Sequence, residues 1–390
     1  MDSLFSSDRK LPYRPRDFSE PVYAFLDGSV WPSFSRLREF WDGWFVEYPP
    51  ENRKPLAARF QSPSEHRHLS AALELLTFAV LKQGGYGVQV EPPVGDYLLE
   101  FLATGRNHDF FVECTVTGQS QIDASADALE AQFLDVLNKT PVLHHLLSLS
   151  FEARGSSAPP GKKLRAELAK WAELLDSGLA LASETPFHWN HEGWRVAFHA
   201  LPLKDGEEAD GTAIGMTINT FDVKESLRLR GALDGKASKY GILGKPLLVV
   251  VGSTEFQRDV DLWDAVLGDR VWDVHHNSNE VTERRIAKGV FGHVQRPRNT
   301  TMSAVLHAPF RSHSFASGET ELSIIHHPFA DVPFPQGLFP FVKEYDWDPA
   351  GKAAAIEPTA TVADYFNLGV GWPHFDQDPH RLSPHEYSWA

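Results

Sequence analysis

Three glutamates set into apolar surroundings are the residues of this chain best able to do chemistry: Glu74, Glu100 and Glu113. A carboxylate taken out of water is costly unless something pairs with it. Glu100 and Glu113 stand in two apolar segments, residues 97–102 and 109–116, joined by the turn formers of 104–107, so an antiparallel hairpin is expected. Side chains alternate along a strand, which puts Glu113 and Thr115 on one face and Cys114 on the other. If adjacent strands bring Glu100 beside Glu113, their carboxylates converge with the main-chain carbonyl of Cys114. That is an all-oxygen set of the kind Mg²⁺ or Mn²⁺ prefers. Such an ion lowers the pKa of a bound water and offsets charge developing on a phosphodiester.

The elements that must position these acids read as follows. Ser62 and Pro63 suit an N-cap and a first helical position, and the helix they open runs to about Gln83, where Gly84 and Gly85 end it. It is apolar on nearly every side, the mark of a buried helix, with Glu74 as the exception beside Phe78 and Leu81. A short strand over 86–91 leads into the hairpin. Helices are expected over 126–138, 162–176, 223–240 and 256–267, and strands over 145–153 and 194–203. The run PLLVVV, 246–251, reads as a fully buried parallel strand. A late hairpin is expected from 301–309 and 321–327 around Gly318, and an amphipathic helix over 33–45. Helices and strands in alternation indicate an α/β or α+β architecture.

The order of a helix bearing Glu, a strand with an acid before Phe-Leu, and then F-V-E-x-T resembles the PD-(D/E)XK nuclease superfamily. The resemblance implies a restriction-endonuclease-like core, a central mixed sheet flanked by helices, with N- and C-terminal additions. It places Glu100 in the first acid slot, Glu113 in the second and Glu74 in the helix slot. The metal would be held by Glu100, Glu113 and the Cys114 carbonyl. The chain departs from the pattern in having Glu100 where Asp is usual and Thr115 where the lysine stands. A lysine from a nearby helix would then supply the ammonium, with Lys236 or Lys239 as candidates and Lys82 a poorer one. The segment KASKY, 236–240, followed by PLLVVV, is similar to a recurrent feature of bacterial proteins with this core. The implied activity is Mg²⁺- or Mn²⁺-dependent hydrolysis of DNA, and family habit adds defence against foreign DNA.

Composition limits the alternatives. The chain has 390 residues, a formal net charge of −15 and a single cysteine, Cys114. One cysteine excludes a disulfide framework and a Cys-rich zinc site. The acidity argues against non-specific nucleic-acid binding by the whole surface, but not against a local basic groove. Residues 224–245 carry six basic and two acidic side chains, and 283–298 five against one, each a balance of about +4. These two runs are the candidate phosphate contacts. No apolar run is long enough to span a bilayer, and residues 1–18 have no signal-peptide core, so a cytoplasmic location is expected. The histidine pairs at 144–145, 275–276 and 326–327 each offer at most one ligand to a given site if they lie in strands, and read as turn or interface residues. Cys114 reads as a buried, inert thiol.

The expected division is an aromatic-rich extension over 1–60, the nuclease-like core with insertions over 61–255, and an α+β part over 256–390. Each acid also has a plain structural alternative: a solvated strand end for Glu100, an ion pair with an arginine such as Arg106 for Glu113, and a wetter helix side with Ser70 and Thr77 for Glu74. Two other function classes stay open: an inactive nuclease-like fold that binds nucleic acid or protein, and a structural subunit of a larger complex.

Overall fold

The computed structural model describes residues 3–6, 11–14, 16–117, 121–139, 145–176, 186–202, 214–219, 225–237, 240–253, 259–275, 280–286, 288–316, 321–347 and 353–378. In chain order, four helices come first: α1 (Val22–Gly28), α2 (Pro32–Glu47), α3 (Pro50–Phe60) and α4 (Glu65–Gln83). Five strands follow: β1 (Gly87–Val90), β2 (Pro93–Val94), β3 (Tyr97–Leu98), β4 (Phe101–Thr104) and β5 (Phe110–Val116). An inserted segment carries α5 (Gln121–Asn138), β6 (His145–Ala153), α6 (Gly161–Asp176), β7 (Phe187–His191), β8 (Trp194–Pro202) and β9 (Ile214–Asn219). The chain continues with α7 (Glu225–Ala237), β10 (Leu247–Ser253), α8 (Asp259–Leu267), β11 (Arg270–His275), β12 (Glu280–Arg285), β13 (Gly292–His293) and β14 (Arg296–Pro297). It closes with β15 (Ala304–Pro309), β16 (Ser323–His326), β17 (Lys343–Trp347), β18 (Ala353–Ile356), α9 (Val362–Tyr365) and a short 3-10 turn over 375–377.

Two compact units result. One comprises residues 1–14, 21–118 and 224–381, the other 15–20, 119–223 and 382–390. The sequence-based seams at 60 and 255 do not coincide with this partition: α1–α3, α8 and β15–β18 all belong to the larger unit. That unit is mixed α/β, built on an eight-stranded sheet in the order β1-β4-β5-β10-β15-β16-β17-β18. The pairs β5/β10, β10/β15 and β16/β17 are parallel and the others antiparallel. Every residue of β10 is buried, as the apolar run from Leu247 to Val251 demands of a covered central strand. On one face, Leu229 and Leu233 of α7 and Leu262, Ala265 and Val266 of α8 pack with Leu247, Val249, Val251, Val305 and Ile325. The other face meets α4, whose Leu73 lies close against Gly252 and whose Thr77 hydroxyl is 3.5 Å from the Cys114 sulfur.

The inserted unit has its own sheet, β7-β8-β6-β9, and its own core, in which Phe133, Trp171, Trp189 and Trp194 meet Leu147, Leu149 and Phe151. The strand over 145–153 therefore belongs to this second sheet, while 247–253 pairs with β5.

Two boundaries near the acids differ from expectation. Helix α4 starts at Glu65 with Ser64 in the N-cap position, because the Ser62 hydroxyl turns to accept from the Ser64 amide at 3.2 Å. The apolar segment 97–102 is not one strand. Glu91 adopts φ +49 and kinks the β1/β4 ribbon after Val90, while Glu91 N–H still donates to the Glu100 carbonyl at 2.9 Å and Leu99 N–H to the Pro92 carbonyl at 3.2 Å. Residues 93–98 close the ribbon as a small hairpin, β2/β3, around Gly95 at φ +58. Pairing with β5 begins only at Phe101, opposite Val112. Glu100 thus sits in the bend just ahead of β4, not in a strand interior. Among the described residues, no helix is long and apolar enough to cross a membrane.

Candidate active site

Glu113 is central in β5, on the face that α7 covers. Its register partner in β10 is Val249, which packs with Leu229 and Leu233 of α7. Lys236 continues that helix stripe, Leu229, Leu233, Lys236, at helical spacing, and so is carried toward the sheet. Its Nζ donates to Glu113 Oε2 at 2.8 Å and to Glu100 Oε1 at 3.2 Å. The second Glu100 oxygen, Oε2, accepts from the Cys114 amide at 3.4 Å. Tyr240 donates its hydroxyl to Glu113 Oε1. Glu100 and Glu113 therefore meet through one ammonium at the edge of β5 where β4 has peeled away.

Exposure is graded across this group. The Glu113 side chain is 2% exposed, Lys236 20% and Glu100 26%, so the cluster opens to solvent on the Glu100 side. Burial pushes the Glu100 carboxyl above the usual carboxylate range, even though Lys236 pulls the other way. Burial works against the Lys236 ammonium too, but Glu100 and then Glu113 outweigh it and hold its pKa above the ordinary lysine value. Lys236 is thus held as the charged donor of this group.

Glu74 is placed differently. It projects from α4 into a clamp: Arg59 of α3 donates to Oε2 at 2.7 Å and to Oε1 at 3.1 Å, and Tyr48, just after α2, donates its hydroxyl to Oε1 at 2.8 Å. A fork of two guanidinium bonds plus a phenol occupies both oxygens. Glu74 still lies near enough to raise the Glu100 pKa, but it makes no hydrogen bond to the Glu100–Glu113–Lys236 group.

The remaining sequence candidates can be set against this geometry. Lys239 lies outside the described residues. Lys82 is exposed in the last turn of α4. Arg106 donates to the Gly84 carbonyl at 3.0 Å, so it is not the arginine of Glu113. Cys114 presents its side chain to Thr77, away from Glu113, and is buried; burial, with Glu100 nearby, pushes its thiol well above the ordinary value. At Glu100 the structure records the Cys114 amide. A strand residue turns its carbonyl to the same edge as its own N–H, so the expected carbonyl donor faces that edge as well. Tyr240, Tyr48 and Arg59 were not among the sequence candidates. Tyr240 stood inside the segment KASKY, four residues after Lys236; Tyr48 and Arg59 carried no local signal.

Among the described residues, no group of three or more His, Cys, Asp or Glu side chains is arranged to hold a metal ion. A Mg²⁺ ion, however, keeps several waters and is commonly bound through only one or two carboxylates. The pair Glu100–Glu113 meets that lesser demand, with hard oxygen donors at a partly open edge.

Five cations of the two basic runs pair with acids of the chain. Arg230 bonds Asp269 at 3.1 Å, Lys245 bonds Asp109 at 2.8 Å, and Lys236 bonds the two glutamates. In the second run, Arg285 bonds Asp264 at 3.0 Å and Arg298 lies 3.7 Å from Asp234. Of the histidine pairs, 326–327 is buried: His326 bonds Glu344 at 3.0 Å, and His327 lies 2.8 Å from the Arg298 carbonyl, while His144 and His276 lie outside the described residues. No family model matches the chain, and neither a curated protein nor a solved structure matches it.

Proposed function

We propose that this chain hydrolyses phosphodiester bonds in DNA with a divalent cation, Mg²⁺ or Mn²⁺, held by Glu100 and Glu113 on a restriction-endonuclease-like core formed by α4, β1, β4, β5 and β10. The observation that carries the reading is the reach of Lys236 to both carboxylates from α7. An ammonium from a helix thus stands where Thr115 leaves the strand without one. The cation, when bound, lowers the pKa of a coordinated water and offsets charge on the phosphate. Lys236, held protonated, donates a hydrogen bond to the attacking oxygen or to a non-bridging phosphate oxygen. Tyr240 fixes Glu113 through Oε1, leaving Oε2 as the oxygen shared with Lys236.

The test is Mg²⁺-dependent cleavage of single- and double-stranded DNA by wild type, Glu113→Gln and Lys236→Ala. Loss of cleavage in Glu113→Gln and a decrease of about 10²-fold or more in Lys236→Ala are expected. Cleavage that survives Glu113→Gln would end the proposal.

A second reading, an inactive nuclease-like fold that binds nucleic acid or protein, is favoured by one observation. Lys236 already bridges the two carboxylates, which closes the group as a self-satisfied ion triplet. Salt-sensitive binding with no cleavage in any divalent metal would select it.

A further inference from the structure

Every oxygen of the Glu100–Glu113 pair meets a donor of this chain. Glu113 Oε1 accepts from the Tyr240 hydroxyl, and Glu100 Oε2 from the Cys114 amide at 3.4 Å. The other two, Glu113 Oε2 and Glu100 Oε1, accept from one ammonium, Lys236 Nζ, at 2.8 and 3.2 Å. These donors differ in how firmly they are held. Tyr240 is buried in the core cluster with Leu247 and Val249, and Cys114 lies inside β5. Lys236 is a fifth exposed, stands in the last turn of α7 and reaches the pair on a flexible unbranched stem.

An ammonium that bridges two carboxylates stands where a cation ligated by the same pair would stand. Mg²⁺ takes carboxylate oxygens at about 2.0–2.1 Å. An ion that close to Glu113 Oε2 and Glu100 Oε1 lies against Nζ, which is 2.8 and 3.2 Å from the same atoms. Two positive charges then repel beside a carboxylate that is 2% exposed, where water screens little. Exchanging the Tyr240 hydroxyl or the Cys114 amide instead would disturb the core or the strand. The two oxygens on Lys236 are therefore the ones a cation takes at least cost. The displaced ammonium is also provided for. A cation in the last turn of α7 is favoured by the helix dipole with or without the carboxylates, and the cluster opens to solvent on the Glu100 side.

We propose that Lys236 is a built-in competitor for the cation site: its ammonium holds the two carboxylates until Mg²⁺ or Mn²⁺ displaces it, and it is freed toward the substrate when the cation is bound. This rests on the reading of Glu100 and Glu113 as the cation's ligands. Two measurements test it, at pH ~8 so that carboxylates are ionised. In the first, wild type is acetylated with N-hydroxysuccinimidyl acetate, with and without Mg²⁺, and modification is read residue by residue by peptide mass spectrometry. Lys236 reacts several-fold faster with the cation than without it, while Lys245, paired with Asp109, keeps its rate. In the second, Mn²⁺ binding is followed by electron paramagnetic resonance in wild type, Lys236→Met and Lys245→Met, with Glu113→Gln marking what binds elsewhere. Lys236→Met binds Mn²⁺ about 10- to 150-fold more tightly than wild type, the span of one charge-assisted hydrogen bond that no longer competes. Lys245→Met, which removes the same charge from an exposed pair, stays within about twofold. The acetylation uses wild type alone, so a Lys236→Met that failed to fold would not spare the proposal. Lys236 acetylation that is unchanged or slowed by the cation, or a folded Lys236→Met that binds Mn²⁺ no better than wild type, overturns it. Either result alongside DNA cleavage that Glu113→Gln abolishes leaves the hydrolysis standing without the competitor. Displacement of Lys236 by the cation with no cleavage of any DNA leaves the competitor standing and ends the hydrolytic reading.

Discussion

Replacing Lys236 by methionine removes the charge that Glu100 and Glu113 share while keeping most of the stem that lies along α7. The ammonium makes bonds of 2.8 and 3.2 Å to carboxylates whose side chains are 2% and 26% exposed. Breaking a buried pair by deleting one partner typically costs about 3–5 kcal/mol. The lysine is itself a fifth exposed and Tyr240 stays on Glu113, so a net loss of ~3 kcal/mol near neutral pH is expected. The pH dependence is the sharper readout. With its folded pKa raised, wild-type Lys236 contributes fully below the ordinary lysine value and loses nothing between mildly acidic and neutral pH. In the variant, Glu100 loses the ammonium that pulls its pKa down, so its folded pKa, already raised by burial, rises further above the unfolded one. Such acids stabilise fully below the unfolded carboxylate value, and that stability is lost as pH rises through the folded value. The deficit of Lys236→Met should therefore be small near pH ~4 and full by pH ~7.5. Urea unfolding of both proteins at those two pH values measures it. A second substitution, Glu113→Gln on Lys236→Met, should recover part of the loss, since one of the two neighbouring carboxylate charges is gone. An equal deficit at both pH values, or a double variant no better than the single one, would refute the ion-triplet account.

Arg59→Ala leaves Glu74 buried with only the Tyr48 hydroxyl and should cost ~2 kcal/mol by thermal or urea melts, discounted because Arg59 is 36% exposed. Adding Glu74→Gln should return part of that loss, and no recovery would mean the clamp acts by packing alone. Burial pushes the Cys114 thiol up, so 5,5′-dithiobis(2-nitrobenzoate) should label the native protein far more slowly than the urea-unfolded chain; equal rates would contradict the placement. Burial lowers the His327 imidazole to about 4. A depressed histidine contributes stability above its ordinary value and loses it as pH falls through ~6.5 toward the folded value. An NMR midpoint for His327 near ~6.5 would show that the ring is not held as described.

What the sequence revealed, and what it hid, follows from the range of the interactions. The buried strand over 247–253 and the strand bearing Glu113 were legible because a run of branched apolar residues encodes its own burial. Period-two alternation then separated Glu113 from Cys114 without any knowledge of the neighbours. Lys236 could be nominated, together with Lys239, only because the resemblance called for a helix lysine; the stripe of Leu229 and Leu233 that carries it to the sheet shows in the packing. The bend at Glu100 was missed because the apolar residues 97–102 mimic one strand. The strand over 145–153 has the same local pattern as a core strand, and only its pairing with β8 and β9 assigns it to the second sheet. The Arg59–Tyr48 clamp was invisible for a different reason. It joins residues from the ends of α2 and α3 to the middle of α4, and nothing in either local pattern names the partner.

That clamp also bears on how the acids divide their work. With Arg59 on Glu74, the helix acid is neutralised as a pair, and the open group Glu100–Glu113–Lys236 carries a formal charge of about −1. On the hydrolytic reading, one divalent cation brings this group to about +1, a balance suited to the negative phosphate it must stabilise. A second cation would leave a strong local excess of positive charge, and Glu74, the third acid of the sequence pattern, is spent on Arg59. Mounting the ammonium on α7 rather than on β5 matters for the same reason. A strand lysine two residues after Glu113 would share its rigid frame, whereas Lys236 reaches in on a flexible stem and can yield the space between the carboxylates without any strand moving.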